Sequence, residues 1–208
     1  MTTFYYYNPI CLEHQTPPGH PERPDRLRAL EAIFEHEHFN TLVRHLAPEA
    51  AAEAVLLAHP EEYLARIRAA IPESGFAKID ADTVASPRSM EAALIGVGGA
   101  MAAVDAVFRK EADNAFVATR PPGHHAEKNT SMGFCLFNQA AIAARHAQKV
   151  HGAERVAIVD WDVHHGNGTQ DIFYDDPSVI YCSTHQMPLY PGTGARSETG
   201  KGNIFNAP

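Results

Sequence analysis

The segment VAIVDWDVHHGNG, residues 156–168, is apolar at its start and polar at its end. If it forms a strand, its side chains alternate between two faces, so Asp160, Asp162 and His164 share one face. Two carboxylates at a buried strand end need a cation or hydrogen-bond donors, because an unpaired buried charge is strongly unfavourable. An aspartate oxygen and a histidine nitrogen suit a divalent ion such as zinc, so Asp162 and His164 are predicted metal ligands. The alternative is a strand end whose polar residues only cap the next helix.

A second cluster, His124 and His125, follows the rigid Arg-Pro-Pro-Gly turn of residues 120–123, directly after a predicted strand. Ligands of parallel sheets bind outside the carboxyl ends of the strands, where both clusters would lie. In amide hydrolysis by a metal-activated water, one imidazole can accept the water proton and the other can protonate the leaving amine. Asp160 is then predicted to orient one of these histidines through a hydrogen bond.

The elements that must position these residues follow from hydrophobic periodicity and from turn residues. A short strand and an irregular loop are predicted before residue 25, and a second loop over residues 72–88. Helices are predicted over residues 25–39, 61–70, 89–110 and 138–151, and strands over residues 115–118, 155–163 and 178–183. Glycines 96, 98 and 99 inside the third helix predict close packing against a neighbouring element. Strands that alternate with helices predict a parallel sheet with helices on both faces, in a single domain of residues 1–208.

Composition limits the classes of partner. With 45% hydrophobic and 20% charged residues, the 208-residue chain can bury a core. A net charge of -8 and the lack of a basic run argue against a nucleic-acid surface. The three cysteines, Cys11, Cys135 and Cys182, are far apart and predict reduced thiols rather than disulfides. Without a basic leader or about 18 continuous apolar residues, neither a signal peptide nor a membrane span is expected, so a cytoplasmic location is predicted.

Together these motifs resemble the histone deacetylase family, which includes bacterial deacetylases and acetylpolyamine amidohydrolases. The resemblance spans nearly the whole chain and also includes three further stretches: HPERP at residues 20–24, GFCLFN at 133–138 and YPGTG at 190–194. It implies an arginase-like, three-layer α/β/α fold with a central parallel sheet. The chain would supply the N-terminal and central part of that fold, which would be incomplete at its C-terminus.

The resemblance implies a role for each matching residue. Asp162 and His164 match ligands of one catalytic zinc ion, and His124 and His125 match a tandem catalytic pair. Asp160 would orient His124. Asn167 matches the residue that supports His125, at a position where some family members carry Asp, and the difference alters how strongly His125 is biased toward its charged form.

The implied substrate is acetyl-lysine or a similar acetylated amine. Gly133 and Phe134 match the acyl-lysine tunnel, Tyr190 falls where the opposite aromatic wall is expected, and Asp82 resembles a rim residue that holds substrate amides. A monovalent cation such as potassium is expected near Asp160, Asp162, His164 and Ser183.

Two groups of the family site lie beyond this sequence, namely a third zinc ligand, an Asp, and a carbonyl-polarising Tyr. His185 matches a family histidine that does not bind metal, so it is not expected to replace that ligand. The chain is therefore interpreted as a fragment of a longer enzyme or as a shortened protein. In either case little or no catalytic activity is expected of the chain on its own. Two rival functions remain: a dinuclear ureohydrolase, which would need a carboxylate where Gly166 stands, and a non-catalytic zinc- or acyl-lysine-binding module.

Overall fold

A computed structural model describes all residues, 1–208. The helices are α1 (Asp25–Phe34), α2 (Glu61–Ala70), α3 (Ser89–Phe108), α4 (Gln139–His151) and α5 (Asn167–Phe173). The strands are β1 (Thr3–Tyr7), β2 (Val43–Leu46), β3 (Ala77–Lys78), β4 (Val84–Ala85), β5 (Asn114–Ala118), β6 (Val156–Asp160), β7 (Val179–Thr184) and β8 (Ile204–Ala207). Short 3-10 helices cover Pro9–Leu12, Glu37–Phe39 and Ala52–Leu57.

The main strands form two parallel sheets of three strands each, in the orders β2-β1-β5 and β6-β7-β8. Parallel strands with covering helices agree with the predicted α/β architecture. The prediction expected one central sheet, whereas here β5 and β6 are edge strands of different sheets. Along β6 and just after it, Val159 and Trp161 are 59% and 82% exposed, so this edge lacks apolar neighbours. Strands β2 and β8 and the small β3-β4 hairpin were not predicted.

The C-terminal ends of two predicted helices are wrong, and in each case a backbone conformation explains the error. Helix α4 begins one residue later than predicted, because Asn138 is its N-cap. Helix α1 ends at Phe34 rather than residue 39, because His36 is extended (φ -70°, ψ 144°) before a separate 3-10 turn. Helix α3 ends at Phe108 rather than residue 110, because Lys110 has a left-handed φ of 60°. The prediction for α2 is confirmed at both ends.

Helix α3 forms the centre of the packing, and its glycines are used for close approach as predicted. A Cβ atom on Gly98 would overlap the carbonyl oxygen of Pro48 and lie 2.7 Å from the backbone nitrogen of Ala50. The loop before the Ala52–Leu57 turn therefore crosses α3 at a distance that only glycine permits.

By length and composition, α3 could also span a membrane. This was not predicted, because the sequence contains no run of about 18 continuous apolar residues. Its most apolar window is 56% buried inside the protein. A core helix of this kind meets the same criterion because burial, like lipid, favours apolar side chains.

Candidate active site

The loop after β6 brings Asp160, Asp162 and His164 together, although by a different route from the one predicted. Strand β6 ends at Asp160, not at residue 163, so alternation along a strand does not apply to the next residues. Instead, carboxylate oxygens accept backbone hydrogen bonds two residues ahead. The amide of Asp162 donates to Oδ1 of Asp160 (3.2 Å), and the amide of His164 donates to Oδ1 of Asp162 (2.8 Å). Two successive side-chain-to-backbone turns thus orient the three residues.

The two predicted metal ligands present their donor atoms side by side. Nδ1 of His164 lies 3.1 Å from Oδ1 of Asp162, and both side chains are partly exposed. Two ligands of a tetrahedral zinc, bound at about 2.0–2.2 Å, lie on the order of 3.3 Å apart. The donor types and their separation therefore fit two of the positions around such an ion.

His124 is held by Asp160 and, indirectly, by Tyr181. Nδ1 of His124 donates to Oδ2 of Asp160 (2.9 Å), and the Tyr181 hydroxyl donates to the same oxygen (3.0 Å). Burial acts to raise the pKa of Asp160, but hydrogen bonding and attraction to His124 outweigh it and keep that pKa below its usual value. The carboxylate thus stays ionised beside His124. Sequence reasoning missed Tyr181, since its place depends on the β6–β7 register, which sets it opposite Ile158.

His125 has a neutral partner instead of a carboxylate. Nδ1 of His125 lies 2.8 Å from Oδ1 of Asn167, whose Nδ2 donates to Glu127 (2.8 Å). Because the amide nitrogen of Asn167 is used as a donor, its oxygen accepts, and His125 carries its proton on Nδ1. Burial and the neighbouring His124 lower the pKa of His125 to about 4. His125 is therefore neutral near pH 7, with Nε2 available as a base.

These histidines line a cavity of about 600 Å³ together with the four predicted substrate residues: Asp82, Gly133, Phe134 and Tyr190. The ring of His125 lies edge-on to Tyr190, with centroids 5.1 Å apart, and 5.9 Å from the ring of His164. Backbone at Gly133 packs so closely on His125 that a Cβ there would overlap the imidazole. Asp162 and His164 therefore face the same space as His124 and His125.

Asp82 is used inside the protein as well as at the cavity. Its Oδ1 accepts hydrogen bonds from the Gly133 amide (3.1 Å) and the Thr83 hydroxyl (3.0 Å). Asp82 thus fixes the backbone at Gly133, a contact that the sequence did not reveal. Burial first, and then the charges of Asp82 and Asp80, raise the pKa of Tyr190, which stays protonated.

A buried ion pair anchors the loop that carries the histidines. Arg120 donates through Nε and Nη2 to both oxygens of Glu22, and its Nη1 donates to the carbonyls of Cys11 and His14 (3.1 Å each). Both charged side chains are almost fully buried. Burial acts to raise the pKa of Glu22, but hydrogen bonds from His14 and Arg120 lower it overall. The motifs contained both residues, but no role had been predicted for either.

His185 is engaged entirely by other groups. Its Nδ1 lies 2.9 Å from the Ser183 hydroxyl, and its Nε2 lies 3.0 Å from the Gly194 carbonyl. Neither nitrogen is directed to Asp162 or His164, in keeping with the expectation that His185 is no substitute ligand.

His59 contacts the C-terminal part of the loop that carries His124 and His125. Its Nδ1 lies 3.2 Å from the Lys128 carbonyl, and its Nε2 accepts the Asn138 amide (3.0 Å). Only the neutral imidazole with its proton on Nδ1 satisfies both contacts, because a second proton would face the Asn138 N–H. Burial lowers the pKa of His59 to about 4 from an ordinary 6.5.

This contact predicts a pH-dependent loss of stability. Between pH 6.5 and about 4 the unfolded chain binds a proton at His59 that the folded chain does not, so the free energy of unfolding falls as the pH drops. The full shift corresponds to about 3 kcal/mol. Urea unfolding across this range should show that the His59→Gln variant, which does not titrate there, loses correspondingly less. Equal pH slopes for the two proteins would contradict the prediction.

Comparisons with known proteins show the family to which the chain is similar. Residues 20–208 match the family model "Histone deacetylase domain". The chain is 44% identical to a "Probable deacetylase" of Archaeoglobus fulgidus, over 97% of this chain and 56% of that protein. It is 37% identical to a "Histone deacetylase-like amidohydrolase" of Pseudomonas aeruginosa, over 99% of this chain and 60% of that protein.

A solved structure, the "HDA15 HD domain", superposes with a TM-score of 0.93 at 37% identity. It covers 99% of this chain, which in turn covers 61% of that chain. The chain thus spans about three-fifths of the length of these three relatives.

Proposed function

The chain belongs to the histone deacetylase family, and we propose that it carries the metal-binding and proton-transfer residues of a zinc-dependent deacetylase. The proposed substrate is an acetylated lysine or a similar acylated amine. Two of the relatives are named as a deacetylase and an amidohydrolase, which supports a hydrolase. The catalytic machinery, the zinc ion and the substrate are our proposals for this chain.

One observation carries the proposal. The donor atoms of Asp162 and His164 lie 3.1 Å apart in the wall of the cavity that His124 and His125 also line. Metal ligands beside two imidazoles suit hydrolysis of an unactivated amide, which needs both an electrophile and proton transfer. When bound to Asp162 and His164, zinc would supply the Lewis acidity that polarises an acyl carbonyl and acidifies water.

The two histidines are suited to different tasks by their partners. Asp160 is anionic and accepts the Nδ1 hydrogen of His124, whereas Asn167 is neutral and leaves Nε2 of His125 without a proton. We therefore propose that His125 accepts the proton of the attacking water and that His124 stabilises negative charge or donates to the leaving amine. Asp160 and Asn167 act as positioning residues in this scheme.

The walls of the cavity fit an acylated alkyl amine. Phe134 and Tyr190 provide aromatic surface for a flat, mostly apolar chain, and Gly133 of the same cavity packs directly on the His125 ring. Asp82 lies on the same cavity and is proposed to face the amides of a bound substrate. A monovalent cation near Asp160 and Ser183, which are register partners on β6 and β7, remains part of the proposal.

The dinuclear ureohydrolase has weaker support. It would need a carboxylate at position 166, where a Cβ atom would overlap Oδ2 of Asp160 and lie about as close to the Tyr181 hydroxyl. A larger side chain there would displace the Asp160–His124 pair. The cytoplasmic location, and the absence of nucleic-acid or membrane partners, stay predictions.

The proposal is tested with the purified 1–208 protein and with the complete gene product. We expect the 1–208 protein to bind zinc weakly at Asp162 and His164 and to hydrolyse acetyl-lysine peptide poorly, because two protein ligands hold zinc less tightly than the three of a usual catalytic site. The complete product should hydrolyse acetyl-lysine peptide or acetylpolyamine and should lose that activity with a chelator. Full, chelator-sensitive activity of 1–208 would overturn the first expectation, and no amide hydrolysis by the complete product would overturn the function.

A further inference from the structure

A second group of histidine and carboxylate side chains lies between helices α3 and α4. Nε2 of His146 and Nε2 of His151 each lie 2.7 Å from the same oxygen, Oδ1 of Asp105. None of the three residues lines the cavity of the candidate active site. Nothing in the proposed deacetylase reaction uses them.

Rigid elements fix all three side chains. Asp105 lies in the last turns of α3, and His146 is a buried residue of α4. His151 is the last residue of α4, before the left-handed Gly152, and its ring stacks on Phe108 at 4.6 Å with an 11° interplanar angle. A site built on packed helices needs little rearrangement when a ligand binds.

The donor set is one that a metal ion would recognise. Two imidazole nitrogens and a carboxylate oxygen lie within 4.8 Å of one another. A carboxylate only accepts hydrogen bonds, so in the metal-free protein both Nε2 atoms must carry protons, which a cation can replace. Burial acts to raise the pKa of Asp105, but hydrogen bonds from His151 and His146 lower it, so the carboxylate is ionised.

We propose that Asp105, His146 and His151 form a second metal site, which binds zinc and cross-links α3 to α4. Tetrahedral zinc requires ligand separations of about 3.3 Å, so each histidine nitrogen, now 2.7 Å from Asp105 Oδ1, would move away from it by about 0.6 Å. The side chains retain 9–25% exposure, which leaves a coordination position open to water. Zinc is favoured over ferrous iron at such donors by the general order of divalent affinities.

One nearby charge opposes binding and sets the expected strength. Nη2 of Arg109 lies 3.5 Å from Oδ2 of Asp105, the oxygen that does not contact the histidines. The guanidinium is exposed and on a long side chain, so solvent screens much of its repulsion of a cation. A site with three protein ligands and this neighbour should bind zinc less tightly than a closed four-ligand site.

The test starts from an Asp162→Ala/His164→Ala protein, which lacks the ligands of the proposed active site. Calorimetric titration with Zn²⁺ at pH 7.5 should show one equivalent, and Co²⁺ should give a visible absorption band. Adding His151→Gln removes a ligand and should weaken zinc binding on the order of 100-fold. Loss of a residue that only supports a ligand already weakens metal binding by roughly 10–100-fold. Zinc should also raise the Tm by roughly 5 °C, and only while His151 is present.

A surface pair offers a matched control. His36 and His38 have adjacent rings, with centroids 4.5 Å apart, and both are exposed. The His38→Gln variant in the same background should keep the full zinc equivalent. Equal loss in the His38 and His151 variants, or none in either, would mean an adventitious ion only. No zinc binding below millimolar concentration would show a hydrogen-bonded clamp instead, and either result overturns this site without affecting the proposed deacetylase function.

Discussion

Replacing Glu22 with alanine should lower the free energy of unfolding by about 3–5 kcal/mol, because it leaves the charge of Arg120 buried and unpaired. Arg120 contacts both oxygens of Glu22 and is 3% exposed, so water cannot solvate it in place of the carboxylate. His14, which lies 3.3 Å from Glu22, would lose a partner as well. Urea unfolding of the variant and the wild type measures the difference.

A surface ion pair and a double variant serve as controls for this prediction. Asp25 and Arg28 are 2.8 Å apart but exposed, so Asp25→Ala should cost less than about 1 kcal/mol. Replacing both members of the buried pair, in Glu22→Leu/Arg120→Met, removes both charges and should restore part of the lost stability. A loss for Glu22→Ala no greater than for Asp25→Ala would show that the buried pair does not anchor the loop.

The Glu22–Arg120 pair also shows what sequence reasoning could and could not find. Both residues lie in motifs, HPERP and RPPGHH, yet 98 positions separate them and no local pattern indicates that they meet. The only indication was indirect: Arg120 directly follows a predicted buried strand, so its charge needs a partner. Which partner it finds depends on the approach of the N-terminal loop to β5, and periodicity carries no information on that.

The candidate site was predicted more fully than the elements that hold it. The DxDxH pattern predicted that Asp160, Asp162 and His164 share one face, but the reason given, alternation along a strand, was wrong beyond Asp160, where β6 ends. Aspartate side chains that accept backbone amides two residues ahead produce the same convergence in a loop. A spacing of two residues fits both structures, so the pattern alone could not distinguish them.

Long-range pairing accounts for most of what the sequence left out. Tyr181 is an ordinary apolar position in its strand, and only the register with β6 brings its hydroxyl to Asp160. The sequence likewise gives no indication of the cluster of Asp105, His146 and His151, since it forms only when α3 packs against α4. Local motifs therefore indicated the groups that could do chemistry, whereas their supporting contacts came from packing.

Replacing His125 with alanine should reduce kcat of the active gene product by about 10²–10⁴-fold, the usual contribution of a positioned general base. The expectation rests on geometry: Asn167 fixes the proton of His125 on Nδ1, so Nε2 is left to accept one from water. Asn167→Asp tests the same assignment without removing the imidazole. An anion at that position should raise the pKa of His125, so the acid limb of the pH–rate profile should move to higher pH.

His185 provides the matched control. It is a buried histidine directly after β7, and its Nδ1 contacts the Ser183 hydroxyl while its Nε2 contacts the Gly194 carbonyl. His185→Gln should leave kcat nearly unchanged once equal folding has been checked by circular dichroism. If His125→Ala kept wild-type kcat, or if His185→Gln lost as much, the base would have to be another group. His124, whose Nδ1 donates to Asp160, would then be the next candidate. The pH profile of Asn167→Asp separates these two assignments, since it moves only if His125 titrates in the rate-determining step.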